Sequence, residues 1–385
     1  MMIDPTSSWR RRFRARRNLR RLENERRRYG KIFAGRKLSI PDDEQIRKHF
    51  LSGFPALAAK RKGDLSIISI FHDYNWENAA LIPSLKSFGT VRHYDWFDRF
   101  NHQGKDWMPE MRARMNDDLL KELARWIEAE RPDVIFTYLS GELVSPAAMA
   151  RFRAFAVPSV NLALNDKESF VGKLRKGEAY GMRDICRYFT LCWTSTEDAL
   201  PKYCVEGALP INLPEGAYPG VHRPYDEEKI YDVTFAGQCY GDRPGLIEAL
   251  RRNGIAVEAF GHGWPRGALS TEEMVKLYSR SRINLGFGSV ADHSETYCLK
   301  GRDFEIPMSG GLYLTEHHPE LERVYRIGEE IVAYRDFDDL LSKIGYLLSH
   351  PREAERIRKA GYERCRSEHT WEHRFERIFR LMGLL

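Results

Sequence analysis

The stretch DVTFAGQCYGDRPGLIEALRRNGIAVEAFGHGW, residues 232–264, contains two short apolar runs separated by an amphipathic segment. We predict that residues 233–236 and 256–260 are buried strands and that residues 245–252 form the helix between them. A buried strand, an amphipathic helix and a second buried strand are the repeating unit of a parallel sheet covered by helices. This stretch therefore predicts an α/β fold.

The same alternation continues to the C-terminus. Residues 271–279 read as a helix opened by a capping box, Ser270 to Glu273, and residues 283–287 read as the next strand. A helix from Arg302, strands at 312–315 and 331–334, and two amphipathic helices to about residue 365 follow. These elements predict one Rossmann-like domain.

The N-terminal half of the chain shows the same alternation of apolar runs and amphipathic segments. Strands are predicted at 65–71, 134–138, 157–164 and 188–193, and helices at 116–129 and after Ser145 and Pro146. A stretch rich in proline and glycine, residues 213–229, is typical of a linker. We therefore expect a basic N-terminal arm (1–60, helical or disordered), an N-terminal Rossmann-like acceptor domain (61–220), a C-terminal Rossmann-like nucleotide-sugar domain (221–370) and a C-terminal helix packing back toward the N-terminal domain (371–385).

Composition excludes several classes of protein. The chain has 385 residues, of which 42% are hydrophobic and 30% charged, and this is ordinary globular usage. Six scattered cysteines show no metal-ligand spacing, so we expect no metal and a reducing compartment. No apolar run approaches the roughly 18 residues of a membrane span. We expect a cytoplasmic protein, with membrane contact only as a peripheral protein at the inner face.

The formal charge of +6 is concentrated at the N-terminus, where residues 1–30 carry eleven arginines and three acids. The apolar residues there do not fall on one tight stripe, so the segment is predicted to be a poor core helix. Three interpretations stay open: a solvated or disordered arm, attraction to anionic lipid headgroups with Trp9 and Phe13 at the interface, and nucleic-acid binding. The last is disfavoured because the rest of the chain has no matching basic face.

In open parallel sheets, ligands bind at the carboxyl ends of strands, and three loops in the second half are informative there. The loop from Gly237 to Arg243 presents a cation at the start of a helix, and the loop at 260–264 leaves little bulk around His262. Both loops are equally consistent with tight turns, and a lone loop histidine is often simply solvated.

The third loop carries the clearest signal. Lys300 and Arg302 flank Gly301 directly before a short helix, which brings two cations and backbone N–H groups to a point suited to phosphate. Glu305 falls one turn into that helix, where it could accept hydrogen bonds from sugar hydroxyls. The alternative is a surface salt bridge between Arg302 and Glu305.

These motifs carry a family resemblance. The segment 232–374, with R-x-F-E at Arg302, G-G at Gly310, T-E, P-E-L and E-H-T-W-E-H-R, resembles the C-terminal domain of the group 1, spore-maturation (CgeB-like) glycosyltransferases. The resemblance covers about half of the chain. It implies a GT-B fold, in which two Rossmann-like, doubly wound domains face each other across a cleft and the C-terminal one holds the donor nucleotide.

The resemblance also implies roles for individual residues. Glu305 is similar to the glutamate that binds the donor ribose, whereas a second glutamate of related retaining enzymes is replaced by Tyr297, so the stereochemical outcome stays open. Such enzymes use a UDP- or GDP-sugar as the donor and no other cofactor, and usually need no metal. The diphosphate contacts would come from Lys300, Arg302, Arg243, Gly237, His262, Gly310 and Gly311.

A general base, if the reaction inverts configuration, would lie in the N-terminal half. Asp166 follows a predicted strand and is the first candidate, and His72 is the second. Asp73 and Glu142 lie at similar positions. Each of these is also consistent with an ordinary loop residue.

The sequence therefore predicts a glycosyltransferase that moves a sugar from a nucleotide-diphosphate donor to a hydroxyl of a bacterial cell-envelope glycan, glycolipid or protein. Alternatives are a nucleotide-sugar epimerase or hydrolase on the same fold, and a non-catalytic sugar-nucleotide or glycan-binding protein. An anionic membrane surface is a further expected partner through the arginine-rich arm.

Overall fold

The computed structural model describes the backbone of residues 5–290 and 293–385, and the side chains of residues 15–290 and 296–385. The chain forms two compact units. The N-terminal unit comprises Asn24–Pro214 with Arg374–Leu385, and the C-terminal unit comprises Glu215–His373 with the chain up to Glu23. No helix in the described part of the chain is both long and apolar enough to cross a bilayer.

The first half of the chain alternates helices and strands. In chain order the elements are α1 (Pro5–Gly35), α2 (Asp43–Gly53), β1 (Leu65–Ile70), α3 (Glu77–Lys86), β2 (Gly89–Tyr94), α4 (Arg112–Ala129), β3 (Val134–Thr137), α5 (Pro146–Arg153), β4 (Ser159–Ala163), α6 (Asp166–Ser169), β5 (Leu174–Arg175), β6 (Glu178–Ala179), β7 (Leu191–Thr194), α7 (Leu200–Val205) and β8 (Pro210–Asn212). Six of these strands form one parallel sheet in the order β2-β1-β3-β4-β7-β8. This is a doubly wound, Rossmann-like sheet.

The second half repeats this architecture. Its elements are β9 (Tyr231–Ala236), α8 (Arg243–Arg252), β10 (Val257–Phe260), α9 (Thr271–Arg280), β11 (Ser281–Leu285), β12 (Ser289–Val290), β13 (His293–Tyr297), α10 (Arg302–Met308), β14 (Tyr313–Glu316), β15 (Val332–Tyr334), α11 (Phe337–Ser349), α12 (Pro351–Glu368) and α13 (Trp371–Leu381). Five strands form a parallel sheet in the order β10-β9-β11-β14-β15. The prediction of two Rossmann-like α/β domains is confirmed.

Strands that the sequence did not predict lie at the two edges of the first sheet. Alternate residues of β2 are only partly buried, because one face of this edge strand is open, and it has no continuous apolar run. β8 has three residues and begins at Pro210. Central strands such as β3 and β4 are buried at every position and were recognisable from sequence.

Of the side chains described in helix α1, only those near its C-terminal end contact the hydrophobic core. Tyr29 is buried in the core of the N-terminal unit, and Ile32 and Phe33 pack against the same core. The apolar stripe is completed by these last two residues, which lie beyond the apolar positions considered from sequence. The side chains of Trp9 and Phe13 lie outside the described residues.

The last helix, α13, supplies aromatic side chains to the N-terminal unit. The ring of Phe375 lies 5.0 Å from that of Phe136 and 5.8 Å from that of Trp193, both edge to face. Phe379 contacts Phe88 in the same way at 5.2 Å. Edge-to-face pairs of buried rings add to the stability gained from area burial.

Candidate functional site

The loops that follow β9 and β10 are locked together at the carboxyl ends of these strands. The backbone N–H of Gly237 donates to the Phe260 carbonyl at 2.8 Å, and the indole N–H of Trp264 donates to the Gly237 carbonyl at 2.8 Å. A Cβ atom on Gly261, whose φ is +127°, would collide with the Gly237 carbonyl. Glycine is therefore required at position 261 for the two loops to meet.

A buried arginine, Arg243, and a partly buried one, Arg302, converge beside this loop pair. The guanidinium carbons of Arg243 and Arg302 lie 5.3 and 5.6 Å from the centre of the Phe235 ring. Arg243 donates through Nη1 to the Gln238 carbonyl at 3.1 Å, whereas its Nη2 and the Nη1 of Arg302 are buried without a hydrogen-bond partner. A Cβ on Gly237 would stand 3.3 Å from Nη2 of Arg302, so the glycine leaves the guanidinium open to a ligand on that side.

The electrostatics at this point are unfavourable in the absence of an anion. Burial, and then the charge of Arg302, lower the pKa of Arg243 to about 10. A buried donor without a partner also costs free energy. Two such donors on neighbouring cations indicate a site shaped for an anion.

Lys300 adds a third cation. Its ammonium group donates to the carbonyl oxygens of Phe287 and Ser289, at 3.3 and 2.5 Å. Burial lowers its pKa to about 8, and the charges of Arg302 and Arg243 act in the same direction. The structure thus brings together Lys300, Arg302, Arg243 and Gly237, four of the residues predicted from sequence.

The start of α10 is organised differently from the sequence-based expectation. The backbone N–H groups of Asp303, Phe304 and Glu305 donate to the carbonyls of Lys300 and Gly301, and that of Lys300 donates to the Asp303 carboxylate at 2.7 Å. These four N–H groups are used within the turn and are not available to a ligand.

Asp303, which the sequence did not single out, fixes this turn. Its carboxylate also accepts the Tyr313 hydroxyl at 2.5 Å, and its carbonyl accepts the Tyr325 hydroxyl at 2.8 Å. Burial raises the pKa of Asp303. Its burial was not predicted from sequence, because Asp303 lies between Arg302 and Glu305, which resemble ligand contacts.

Glu305 faces the amino end of its own helix. A Cβ on Gly301 would lie 2.9 Å from Oε1 of Glu305, and Nε2 of His222 lies 3.8 Å from the same oxygen. The Nδ1 of His222 accepts the Tyr218 N–H at 3.3 Å, which leaves its proton on Nε2, and burial lowers its pKa. His222 lies in the segment predicted to be a linker, where no local pattern indicates a role for it. The alternative of a surface Arg302–Glu305 salt bridge is not supported, because Nη1 of Arg302 has no partner.

For the other three predicted donor contacts, the structure shows partners within the protein. Gly310, with φ of +68°, ends α10 against Pro224 and Arg358, and Gly311 packs on Asn284 and Ile306. His262 is exposed, and its carbonyl accepts the Cys239 N–H at 2.9 Å. The surroundings of these three residues are explained by chain packing. Tyr297 ends β13 and stacks on His318 at 6.0 Å.

In the N-terminal unit, His72 follows β1 and pairs with a carboxylate. Its Nδ1 lies 3.0 Å from both carboxylate oxygens of Asp95, and its ring stacks on Phe97 at 4.2 Å. An Nδ1–H held by the carboxylate leaves Nε2 as the atom able to take a proton. Asp95 follows β2, the edge strand that the sequence missed, and so the pair was not predicted.

An open cavity of about 540 Å³ lies beside His72. Two of its lining residues, Tyr74 and His102, contact the His72 ring, with centroids 4.8 and 5.4 Å away. His102 accepts the Trp96 indole N–H at 3.1 Å and lies 3.1 Å from the Tyr74 hydroxyl, and burial lowers its pKa to about 4. The remaining lining includes Lys105, Trp107, Glu142, Arg175 and Tyr180. Aromatic and hydrogen-bonding side chains together suit a sugar or another polar ligand.

Asp166, the first candidate base, is 2% exposed at the start of α6. Its Oδ2 accepts the Tyr203 hydroxyl at 2.7 Å, and its Oδ1 is buried without a partner. Burial raises its pKa to about 6. It lines a cavity of about 260 Å³ that also includes Glu142.

Two further carboxylates after β1 serve the backbone. Asp73 accepts the Asn78 N–H of α3 at 3.2 Å. One oxygen of Glu77, which is 2% exposed, accepts the N–H groups of Tyr74, Asn75 and Trp76 at 3.0 to 3.1 Å. The loop after β1 therefore holds an internal anion. Among the side chains that the structure describes, no group of three His, Cys, Asp or Glu is placed to hold a metal ion.

Comparison with known proteins agrees with this architecture. Residues 243–380 match the family described as glycosyl transferase-like. No curated protein sequence matches the chain.

Solved structures share the fold over most of the chain at low sequence identity. A glycosyltransferase from Rickettsia africae superimposes with a TM-score of 0.58 and 10% identity, covering 83% of this chain and 98% of that one. Sucrose-phosphate synthase from Thermosynechococcus elongatus gives 0.58 and 11%, covering 82% and 98%. HepE from Anabaena, in complex with UDP-glucose, gives 0.55 and 9%, covering 83% and 100%. Residues 243–380 thus form a glycosyl transferase-like domain, and the chain shares the GT-B fold of these solved structures.

Proposed function

We propose that the protein transfers a sugar from a nucleotide-diphosphate donor to a hydroxyl of a cell-envelope glycan, glycolipid or protein, as a member of the spore-maturation (CgeB-like) group. One observation carries the proposal. Two neighbouring guanidinium groups, those of Arg243 and Arg302, have buried donor atoms without partners beside a glycine at the carboxyl end of a parallel sheet. A diphosphate supplies the acceptors and the negative charge that these atoms lack.

In this proposal the donor lies in the C-terminal unit. Arg243, Arg302 and Lys300 would bind the diphosphate and stabilise the charge that develops on it as the glycosidic bond breaks. These cations would perform the neutralisation that a metal ion performs in other transferases. Glu305 would accept hydrogen bonds from the ribose hydroxyls, and His222, at 3.8 Å, would hold that carboxylate in place.

The acceptor would lie in the N-terminal unit, in the 540 Å³ cavity beside His72. We favour His72 over Asp166 as the group that takes the acceptor proton. His72 is oriented by Asp95 and borders the walls of this cavity, whereas an oxygen of Asp166 is already held by Tyr203. A base in this position implies inversion at the anomeric carbon.

The HepE complex with UDP-glucose supports a UDP-sugar as the donor, and GDP-sugars are the alternative. Calorimetry with UDP and GDP on the full chain tests the donor site, with Arg302→Ala and Glu305→Ala as the site variants. The matched control is Arg282→Ala, because Arg282 is exposed on β11. We expect both site variants to weaken binding by about tenfold or more, and the control to bind as the wild type does. Binding that all three variants leave unchanged would refute the placement of the donor.

A further inference from the structure

Helix α1 presents one continuous basic face. At 100° per residue, seven cations lie within an arc of about 140° along about 23 Å of helix. They are Arg16, Arg17, Arg20, Arg21, Arg27, Arg28 and Lys31, and all are exposed. The other described residues in the arc are Asn24, Ala34 and Gly35, so no carboxylate interrupts it.

The opposite side of α1 is fixed to the N-terminal unit. Glu25 forms an ion pair with the buried Lys202 at 2.8 Å, and the Tyr29 hydroxyl donates to Glu206 at 2.7 Å. Ile32 and Phe33 pack on the core. The orientation of the basic face is therefore set before any partner arrives, and little conformational entropy remains to be lost on binding.

Two exposed aliphatic side chains follow α1 in the chain. Ile40 is 45% exposed and Leu51, on α2, is 62% exposed. Two of the three carboxylates that follow Ile40 have partners within the protein, since Asp42 caps α2 by accepting the Gln45 N–H and Asp43 pairs with Arg377 at 3.0 Å, whereas Glu44 is exposed.

An open cavity of about 750 Å³ begins at the same turn. Leu38 and Pro41 form part of its wall, and most of its other side chains are apolar. Arg153 and Arg187 are its charged lining residues, and the lining includes no Asp or Glu. It lies near the amino ends of β4 and β7, at the other end of these strands from His72 and Asp166. The cavity that begins after α1 thus has cations and apolar groups in its wall and no carboxylate.

We propose that the basic face of α1, together with Ile40 and Leu51, docks on an anionic lipid bilayer. Cations held near such a surface contribute about 1 kcal/mol each at physiological salt, and a helix face that carries cations without a carboxylate between them matches a plane of phosphate headgroups. Exposed aliphatic groups gain free energy in the interfacial region of a bilayer. A nucleic acid would satisfy the charges and would leave Ile40 and Leu51 without a partner, so the bilayer fits the whole surface.

Sedimentation of the full chain with lipid vesicles tests the proposal. Phosphatidylcholine vesicles with and without about 30% phosphatidylglycerol are compared at about 0.1 and 0.5 M salt. We expect binding only to the anionic vesicles, lost at the higher salt. The triple variant Arg16→Gln, Arg20→Gln, Arg28→Gln should bind roughly 100-fold more weakly, from about 1 kcal/mol for each lost charge.

The control removes the same charge from another surface, as Arg352→Gln, Arg356→Gln, Lys359→Gln on α12, and should keep wild-type binding. Leu51→Ser should weaken binding by a smaller factor with less dependence on salt. The proposal is overturned if the wild type ignores anionic vesicles, if the α1 and α12 variants bind alike, or if duplex DNA of equal charge displaces the vesicles. UDP and GDP binding measured on the same variants keeps this outcome separate from that of the donor site.

Discussion

Arg243 should limit the stability of the protein while it strengthens nucleotide binding. Its pKa of about 10, in place of the ordinary 12.5, corresponds to roughly 3 kcal/mol by which the folded chain disfavours the charged guanidinium. Arg243→Met removes this charge and keeps the aliphatic bulk. The substitution also removes the hydrogen bond to the Gln238 carbonyl, which costs about 1 kcal/mol.

We therefore expect Arg243→Met to stabilise the protein by about 1 to 2 kcal/mol and to raise the midpoint of thermal unfolding by a few degrees. The dissociation constant of the bound nucleotide should rise by about tenfold or more in calorimetry, because a charge-assisted bond to the diphosphate is lost. The gain in stability and the loss of affinity have one cause, because the buried charge of Arg243 destabilises the fold and binds the ligand.

The matched control is Arg251→Met on the same helix, α8. Arg251 donates through Nε and Nη2 to the Val257 carbonyl, at 3.1 and 2.8 Å, and so has partners within the protein. Its loss should lower the unfolding midpoint and leave nucleotide affinity unchanged. If Arg243→Met behaves as this control does, the cationic cluster is a structural feature and the reasoning fails.

Three further outcomes are expected. Lys300 has a pKa of about 8, so nucleotide affinity should fall about tenfold between pH 7 and pH 9 as its charge is lost, and Lys300→Arg should flatten that profile in calorimetry. Burial raises the pKa of Asp166 to about 6, so ionisation of its carboxyl group destabilises the folded protein as the pH rises from about 4 to 6. Asp166→Asn should therefore raise the free energy of unfolding by up to about 3 kcal/mol at pH 8, and by less at pH 5, in denaturant unfolding. Sugar transfer should be retained in this variant. His72→Ala should lower kcat for nucleotide release at least 100-fold with nucleotide affinity unchanged, and Asp95→Asn should act in the same direction by a smaller factor.

Each of these outcomes can fail separately. A pH profile that Lys300→Arg leaves unchanged would assign the titration to another group. Loss of sugar transfer in Asp166→Asn with full activity in His72→Ala would reverse the assignment of the base. Equal loss of activity and of nucleotide affinity in His72→Ala would indicate a general disturbance of the fold.

The central strands were predictable because burial on both faces imposes mostly apolar runs, as in Leu65–Ile70 of β1 and Val134–Thr137 of β3. The edge strand β2 has one open face, so its sequence carries polar residues and no such run. Because β2 was not predicted, Asp95 was not recognised as a residue at the carboxyl end of a strand.

At the cationic site, residue type and chain position were sufficient to group Lys300 with Arg302. The approach of Arg243, 57 positions or more away, follows from the parallel pairing of β9 with β11 and is not encoded in any local pattern. His222 shows the limit more clearly, since its role depends on a 3.8 Å approach to Glu305 across 83 residues of chain. The expectation of free N–H groups before α10 came from helix geometry alone, and four of the N–H groups there are used by the Asp303 side chain and by the turn itself.

The two Rossmann-like sheets differ at the point where such sheets usually bind phosphate, the loop after the first strand. In the N-terminal unit that loop already holds a carboxylate, because one oxygen of Glu77 accepts three consecutive N–H groups. In the C-terminal unit the loop after β9 leads to Arg243, a buried cation with a donor atom that has no partner. An incoming diphosphate would meet charge repulsion and occupied donors at the first loop, and attraction and vacant donors at the second. Two sheets of the same topology are thus suited to different ligands, the C-terminal one to the nucleotide and the N-terminal one to a substrate without a diphosphate.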